Sequence, residues 1–399
     1  MKWYLKLWTI YVLRFFMRVL YIFPIKQNRI LFSAISGNAY KCNPKYIFED
    51  LYKNLGTECE YIWVIRNKNL IPEGYCIKTV KPLSPMHLYY LMTSKVIIAN
   101  VGIEPFVPPR KGRIFINTWH GGGAYKKGGL SASYYSKAHK YYFKKVRDLR
   151  AKSTTYLLST NRRFSEIFQK DFKLRPDQIL PIGMPRNDIF FAPAATQKEV
   201  RQKVCQKLGL PADAFIILYA PTYRGHEENC EHIDWTIDTE AVQKSAKKRF
   251  GKDAVVLYRC HLNVYNDRQD IKGAYDASDY PDMQELLAAT DLLISDYSSL
   301  IWDFSMTKRP GYLYTPDLDR YVEVTQLHTP IEQWQYPYSK NMTELCQQIE
   351  NYDEKAAVAK IEDHHNLLGN VEDGTATQKI RELISDAISG NTYHKTTIS

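Results

Sequence analysis

The sequence predicts an α/β fold with two Rossmann-like domains that face each other across a cleft, preceded by an N-terminal amphipathic helix. Short apolar runs alternate with helical patterns from Arg29 onward, as in a mostly parallel sheet. A length of 399 residues fits two domains of about 150–200 residues each. The alternation pauses in the proline-containing segment 183–198. We therefore expect a helix over 1–28, a first domain over 29–190 and a second domain over 191–399.

The first 24 residues predict a helix that lies in a membrane interface. Eight of them are aromatic, and Lys2, Lys6, Arg14 and Arg18 interrupt the apolar run. At about 100° per residue the four cations fall in one sector of the helix and leave the remainder apolar. A membrane span and simple packing against the core are the alternatives. A signal peptide is disfavoured, because the charges are spread along the run and no small-residue cleavage site follows.

The strands of both domains are predicted from short apolar runs, each of which ends at a polar turn. Runs of three to five apolar residues predict strands at 30–32, 61–65, 96–99, 114–116 and 156–158 in the first domain. In the second domain they predict strands at 215–219, 254–258, 292–294 and 312–314. Helical patterns near 44–55 and 198–208 connect them. Ligands of such sheets bind beyond the carboxyl ends of the strands, so the residues just after each run are the candidates for chemistry.

Charge and cysteine content narrow the class of protein. The net charge is +11, with 8 Lys or Arg and no acid in residues 1–48, and 9 Lys or Arg against Asp148 alone in residues 125–152. Two local basic patches predict an acidic partner, such as an anionic membrane surface or a phosphorylated substrate. The 7 scattered cysteines form no CxxC pair, which favours a reducing compartment and argues against a disulfide framework.

The first domain offers a candidate base. His120 follows the strand at 114–116 and precedes Gly121, Gly122 and Gly123, which let the backbone approach a ligand closely. A histidine at a strand exit can take a proton from a hydroxyl near neutral pH. A purely structural histidine is the alternative.

The second domain offers a candidate diphosphate site. Arg259 and His261 alternate at a strand end and point the same way. Other polar residues follow two neighbouring strands: Thr222, Arg224, Asp296, Ser298 and Ser299. A surface ion pair and plain helix caps are the alternatives for these groups. Asp303, one turn further, is expected to accept hydrogen bonds from a ribose or alcohol.

Metal sites are weakly indicated, and we expect neither a metal nor a cofactor. The spacing of Asp317 and Asp319 matches a two-aspartate metal motif, but the pair lies in a predicted turn. His226, Cys230 and His232 lie in a polar, acidic loop. No GxxxxGK[ST] or GxSxG motif is present, which disfavours ATP-dependent phosphoryl transfer and serine hydrolysis.

These residues resemble the CDP-glycerol glycerophosphotransferase family, the teichoic acid primases and polymerases of bacterial envelopes. The matching segments occur in the family's order and extend over most of the chain: 36–40, 43–45, TWHGGG at 118–123, GMPRND at 183–188, YAPTYR at 219–224, Arg259-x-His261, SDYSSLIWDF at 295–304 and Asp373-Gly374-x-Ala376. The family usually continues His-Gly with Thr-Pro-Leu-Lys, where this chain has Gly122-Gly123-Ala124-Tyr125 before Lys126. A proline usually follows the second histidine, where this chain has Leu262.

The resemblance implies a GT-B-like fold and metal-independent transfer of an alditol phosphate from CDP-glycerol, or another CDP-alditol, to a hydroxyl of a lipid-linked glycan acceptor. It implies His120 as base, with His261 and Arg259 at the donor phosphates. Asn43, Gly121–Gly123 and Lys126 are expected on the acceptor side. The enzyme is expected at the cytoplasmic face of the membrane as a peripheral protein, in teichoic acid or capsular polymer synthesis.

Two alternatives remain at this point. A GT-B glycosyltransferase would use a nucleotide sugar through the same architecture. A basic nucleic-acid-binding protein would use the cationic segment around Tyr141 and Tyr142 to stack on bases. No recognised nucleic-acid motif is present, so we expect no nucleic acid partner.

Overall fold

The structure, a computed structural model, describes residues 2–127, 136–222, 224–226, 229–231, 236–261 and 270–390. His232 and Leu262, which carried two of the sequence interpretations, lie outside these ranges. The chain divides into two compact units. Unit 1 comprises residues 1–120, 128–188 and 371–399, and unit 2 comprises residues 121–127 and 189–370.

Unit 1 is built on a seven-stranded sheet. Its helices are α1 (Lys2–Val19), α2 (Cys42–Leu55), α3 (Pro85–Thr93), α4 (Lys137–Ser153) and α5 (Arg162–Phe172). Its strands are β1 (Lys26–Ser33), β2 (Glu60–Val64), β3 (Lys78–Val80), β4 (Ser94–Ala99), β5 (Ile114–Asn117), β6 (Tyr156–Leu158) and β7 (Ile179–Leu180). All pairings are parallel, in the order β3-β2-β1-β4-β5-β6-β7. The strand order reverses between β1 and β4, which is the usual ligand position of a doubly wound sheet.

Unit 2 repeats this organisation. Its helices are α6 (Ala194–Leu208), α7 (Thr239–Phe250), α8 (Met283–Ala289), α9 (Leu300–Ser305), α10 (Leu318–Val324), α11 (Met342–Glu350) and α12 (Glu354–Leu368). Its strands are β8 (Phe215–Tyr219), β9 (Arg224–His226), β10 (Asn229–Glu231), β11 (Ala254–Tyr258), β12 (Ala274–Asp276), β13 (Leu292–Ser295), β14 (Gly311–Tyr314) and β15 (Tyr338–Ser339). The main sheet is parallel with order β12-β11-β8-β13-β14-β15, and β9 and β10 form an antiparallel hairpin. Here the order reverses between β8 and β13.

The central strands form because they are buried on both faces. Residues 30–32 of β1, all of β8 and all of β13 are buried, and each reads as a continuous apolar run. The predicted α/β fold with parallel sheets is therefore confirmed. Within the described residues, no helix combines the length and the apolar character that a membrane span needs.

The units differ from the predicted domain ranges most in two stretches; residues 1–28 also belong to unit 1, and residues 189–190 belong to unit 2. The last helix, α13 (Ala376–Ser389), belongs to unit 1, where Arg381 pairs with Asp50 of α2 at 2.7 Å. Asp188 accepts hydrogen bonds from the first backbone amides of α13, including that of Thr377 at 2.7 Å. Residues 121–127, expected in the first domain, belong to unit 2. The chain thus changes unit at the His120–Gly121 peptide bond.

Candidate active site

His120 stands at the exit of β5 in unit 1, where the sequence predicted a base. Its Nδ1 lies 2.8 Å from the carbonyl oxygen of Asn100, the first residue after β4. A carbonyl oxygen only accepts, so Nδ1 carries the proton and Nε2 is the basic atom. Part of the residue remains exposed to solvent, but burial of the imidazole ring lowers the pKa of His120. The positive charge of Arg186 adds to this shift, and the hydrogen bond to the Asn100 carbonyl oxygen opposes it. The imidazole is therefore neutral, as a base requires, at neutral pH.

Asn43 holds the turn that presents His120. The Asn43 side chain is fully buried, and its amide nitrogen donates to the carbonyl oxygens of Thr118 (3.0 Å) and Trp119 (3.2 Å). Its amide oxygen accepts from the backbone N–H of Arg186 at 3.1 Å. Trp119 has a φ of +52°, a conformation that needs such support in a non-glycine residue. Asn43 thus positions His120, and its predicted contact with an acceptor stays a prediction.

Sequence reasoning missed two residues of this support. Arg186 donates to the carbonyl oxygen of His120 at 2.9 Å, and Asn100 fixes the imidazole as described above. Arg186 lies in the GMPRND segment, which was noted only as part of the resemblance. Asn100 could have been found as a buried polar residue directly after the β4 run.

In unit 2, the turns after β8 and β13 are joined by a buried polar network. The Asp296 carboxylate accepts from the Thr222 backbone N–H and hydroxyl, at 3.0 and 2.9 Å, and from the Arg224 guanidinium at 2.8 Å. Arg224 also donates to Asp317 at 2.6 Å. These turns lie at the reversal of strand order, so the predicted donor residues gather where a doubly wound sheet binds its ligand.

The charges of this network are compensated internally. Burial opposes ionisation of both Arg224 and Asp317, but Asp296 and Asp317 raise the pKa of Arg224, and the contacts with Arg224 and Tyr297 lower the pKa of Asp317. The guanidinium of Arg224 is engaged by two carboxylates. It therefore shapes the turn, and a direct contact with donor phosphate stays a prediction.

Ser298, Ser299 and Asp303 lie around the short helix α9. Ser298 and Ser299 are half-buried, and Ser298 Oγ accepts from the backbone N–H of Leu300 at 3.2 Å. Asp303 is 1% exposed and accepts from Gln284 Nε2 at 3.2 Å. The two serines keep surface for a ligand. Asp303 faces the interior of unit 2, and its predicted contact with a ribose or alcohol stays a prediction.

The segment after His120 packs onto the donor turns. A Cβ at Gly121 would lie 2.7 Å from Ser299 Oγ, and one at Gly122 would lie 2.0 Å from Trp302 Cδ1, so only glycine fits at Gly122. Lys126 pairs with Leu327 in an antiparallel bridge. Gly122 thus lets the backbone approach Trp302 more closely than any side chain would allow.

Lys126 lies with the donor residues. Its Nζ is 5.5 Å from the centre of the Tyr321 ring, and its charge interacts with Asp296, Arg224 and His261. Burial lowers the pKa of Lys126 to about 8, with Asp296 opposing and Arg224 reinforcing the shift. The acceptor-side role of Lys126 stays a prediction, and its neighbours within unit 2 are residues predicted at the donor site.

Arg259 and His261 follow β11, the neighbour of β8. Arg259 donates to the carbonyl oxygens of Ala277 (3.1 Å) and Tyr280 (2.7 Å). Burial lowers the pKa of His261 to about 4, and Lys126 adds to the shift. His261 is therefore neutral near pH 7, where its ring can form hydrogen bonds but carries no positive charge.

The aspartates of the weakly indicated metal motif form ion pairs with basic side chains. Asp317 pairs with Arg224 and accepts from the Tyr297 hydroxyl at 2.9 Å, while Asp319 pairs with Lys340 at 2.9 Å. In the part of the chain that the structure describes, no group of three acidic, histidine or cysteine side chains has metal-binding geometry. The His226, Cys230 and His232 interpretation falls on side chains outside the described set.

Comparison with known proteins identifies a family. The family model described as CDP-Glycerol:Poly(glycerophosphate) glycerophosphotransferase matches residues 15–386. The chain is 30% identical over 314 residues to a teichoic acid poly(glycerol phosphate) polymerase of Bacillus spizizenii, covering 76% of this chain and 78% of that protein. It is 28% identical over 374 residues to a teichoic acid glycerol-phosphate transferase of Staphylococcus aureus, covering 90% and 93%.

Other relatives are longer, and solved structures share the fold. The chain matches 51% of the length of a Staphylococcus epidermidis teichoic acid poly(glycerol phosphate) polymerase, at 28% identity over 90% of this chain. A structure of the wall teichoic acid polymerase TagF superposes with a TM-score of 0.80 at 25% identity, covering 98% of both chains. A variant of that polymerase soaked with CDPG gives the same TM-score at 26% identity, again over 98% of both chains.

Proposed function

The chain belongs to the CDP-glycerol:poly(glycerophosphate) glycerophosphotransferase family, and we propose that it transfers glycerol phosphate, or a related alditol phosphate, from a CDP-alditol to a hydroxyl of a lipid-linked glycan. CMP is the other product. Two observations support this proposal: unit 1 presents a neutral histidine whose Nε2 is the basic atom, and the switch-point turns of unit 2 gather donor-type residues. The process served is teichoic acid or capsular polymer synthesis.

The reaction follows from these residues. The acceptor hydroxyl attacks the β-phosphorus of the CDP-alditol, its proton passes to His120 Nε2, and the bond between the β-phosphorus and the bridging oxygen breaks to release CMP. General base catalysis contributes about 10²–10⁴-fold to such a step. In this proposal the two units adopt the GT-B-like arrangement, with His120 facing the donor across a cleft.

The donor phosphates would be held by groups of unit 2. Lys126 and Arg259 supply positive charge, and His261, Ser298 and Ser299 supply hydrogen bonds. The Asp296 and Asp317 carboxylates are neutralised by Arg224 and are not free to hold a divalent ion. The charge that develops on the phosphoryl oxygens is therefore met by protein cations, which supports a metal-independent reaction.

A peripheral membrane location is part of the proposal. Helix α1 packs on α4 through Ile10, Val146 and Leu149, and Trp3 stacks on His139 at 3.7 Å. The opposite face of α1 leaves large apolar side chains in solvent, among them Leu5 (63%), Trp8 (63%), Phe15 (65%) and Phe16 (60%). An exposed apolar face beside a lysine-rich helix suits an anionic lipid surface, here the cytoplasmic leaflet.

A donor panel tests the proposed reaction against the glycosyltransferase alternative. Purified protein is incubated with membrane-derived acceptor and, separately, with CDP-glycerol, CDP-ribitol or a UDP-sugar. We expect nucleotide release that depends on acceptor with a CDP-alditol, and none with the UDP-sugar. Acceptor-dependent UDP release without CMP release would replace this proposal by the glycosyltransferase.

A further inference from the structure

Unit 1 contains a cavity of its own at the reversal of strand order in its sheet. The cavity has a volume of about 120 Å³, roughly ten times what a single bound water requires. Its wall is mostly apolar, and the polar side chains in it come from four parts of the chain: Ser33 at the end of β1 and Ser36 after it, Arg66 after β2, His87 on α3 and Glu104 after β4. The corresponding position of unit 2 holds the donor residues, and none of the roles proposed above uses this one.

His87 is a fixed neutral donor in the cavity wall. Its Nδ1 accepts from the backbone N–H of Leu83 at 2.9 Å, so the neutral ring carries its proton on Nε2. Burial lowers the pKa of His87 to about 4, which keeps the ring uncharged at neutral pH. The wall therefore presents an N–H donor without a positive charge.

Glu104 is the complementary acceptor. Among the residues that the structure describes, its carboxylate has no hydrogen-bond partner, although it feels the charge of Arg150. Burial raises the pKa of Glu104, and Arg150 opposes this shift. A half-buried carboxylate left without a hydrogen bond is costly unless a ligand or water satisfies it.

Asn100 connects the cavity wall to His120. The Asn100 side-chain oxygen accepts from the backbone N–H of Ile35 at 2.8 Å, and the Asn100 carbonyl oxygen binds His120 Nδ1 at 2.8 Å. Ile35 and Ser36 have φ values of +47° and +52°, which are unfavourable for such residues and are held in place by this contact. Ser36 therefore lines the cavity in a turn that shares its support with His120.

We propose that this cavity binds the terminal alditol of the acceptor, with Glu104 accepting from its hydroxyls, His87 Nε2–H donating to them, and the exposed Arg66 facing the adjoining phosphodiester. This rests on the proposed function. A polyol suits a wall of neutral donors, hydroxyls and a carboxylate, whereas the same carboxylate disfavours a phosphate inside the cavity. Arg66 is exposed and its Nε donates to Asn38 at 2.9 Å; among the described residues its other side-chain N–H groups have no partner and can donate to an anion.

Binding of glycerophosphoglycerol, a diglycerol phosphodiester, tests the assignment. Calorimetry on the full chain should detect this compound and should give no comparable signal for inorganic phosphate. Glu104→Gln and Arg66→Gln should each weaken binding at least about fivefold, while the affinity for CDP-glycerol stays within twofold. Glu73→Gln, which changes an exposed carboxylate of the same unit outside the cavity, should leave both affinities unchanged.

The possible results distinguish the cavity assignment from the proposed function. Should Glu104→Gln fail to fold, Ser33→Ala and Arg66→Gln carry the same prediction. Wild-type protein that binds CDP-glycerol but not the diester, or cavity variants that bind the diester like wild type, would overturn the cavity assignment alone. Failure of wild-type protein to bind any CDP-alditol would instead overturn the proposed function. In turnover, the cavity variants should raise the KM for acceptor more than they lower kcat.

Discussion

At the scale of single residues, Asn43 shows how a buried amide can serve a site without touching a substrate. Its three hydrogen bonds to Thr118, Trp119 and Arg186 close the turn before His120. Asn43→Ala removes these three hydrogen bonds, at a cost of about 1–3 kcal/mol for each buried group that loses its partner. We expect a lower free energy of unfolding in urea and a larger fall in kcat than in donor affinity. Asn54→Ala, at an exposed position of the same helix, should change neither.

Lys126 gives a second residue-scale prediction, in the pH dependence of donor binding. Its pKa of about 8 lies below the ordinary lysine value of 10.5, so the ammonium is lost as the pH rises through 8. If Lys126 holds a donor phosphate, the affinity for CDP-glycerol falls several-fold between pH 7 and 9.5. Calorimetry at these pH values should show that decline in wild-type protein and a flat profile for Lys126→Arg. A Lys126→Met variant with the wild-type profile would contradict the assignment.

The residues around His120 show which features of the site can be predicted from the sequence and which cannot. A histidine after an apolar run and before three glycines is visible in the sequence. Its tautomer is not, because it depends on a carbonyl 20 residues earlier. The position of Thr222 and Arg224 just after a strand predicts a phosphate contact, but the sequence does not show that Asp317, almost a hundred residues away, pairs with Arg224. The spacing of apolar runs in the sequence predicts which loops lie close together. Only the packed structure shows which charged side chains in those loops neutralise each other.

At the scale of elements, long buried strands were predictable and short edge strands were not. The runs that became β1, β2, β4, β8, β11 and β13 are continuous and apolar. β3, β7, β12 and β15 are two or three residues long, and their pairing with a neighbouring strand defines them. Helix α13 is amphipathic in sequence, yet nothing local indicates which sheet it covers. The Arg381–Asp50 pair, set by distant residues, assigns it to unit 1.

At this scale we predict how changes in helix α1 affect binding to lipid. Arg14, predicted among the cations of the polar face, is buried and donates to the carbonyl oxygens of Pro105 and Val107 at 2.7 and 2.8 Å. The helix is therefore anchored to unit 1, and deleting it would expose the core. Point changes on its exposed face are the cleaner test. Trp8→Glu with Phe15→Glu should reduce sedimentation with vesicles of anionic phospholipid by at least about tenfold.

The matched control for α1 places the same charge elsewhere. Gln202→Glu with Gln206→Glu, on exposed positions of α6 in unit 2, adds two negative charges without removing apolar surface. This variant should sediment nearly like wild type, and all variants should keep CDP-glycerol binding. Wild-type sedimentation of the Trp8/Phe15 double variant would show that α1 does not hold the protein on lipid.

At the scale of the whole molecule, buried neutral histidines predict acid sensitivity in both units. Burial lowers the pKa of His87 in unit 1 and of His364 in unit 2 to about 4, against an ordinary value of 6.5. A lowered folded-state pKa means that the neutral form stabilises the fold above pH 6.5 and that this contribution is lost as the pH falls towards 4. Each histidine contributes on the order of 3 kcal/mol over that window. The free energy of unfolding should fall accordingly between pH 7 and 4.5.

Removing one titrating group should flatten that decline. His364→Gln keeps a polar side chain opposite the Tyr125 hydroxyl, which lies 2.9 Å from His364 Nε2, but does not titrate. Its unfolding free energy in urea should depend less steeply on pH than that of wild type. Equal slopes for the two proteins would show that His364 does not control acid stability.

The central claim is that His120 Nε2 takes the acceptor proton during glycerol phosphate transfer from CDP-glycerol. Its most direct test is a single-turnover reaction at saturating CDP-glycerol, with the lipid-linked product followed by mass spectrometry. Wild-type protein should add glycerol phosphate to the acceptor as CMP appears. His120→Ala should bind the donor as wild type does and transfer about 10²–10⁴-fold more slowly. Transfer by His120→Ala at the wild-type rate with the donor bound would contradict the account.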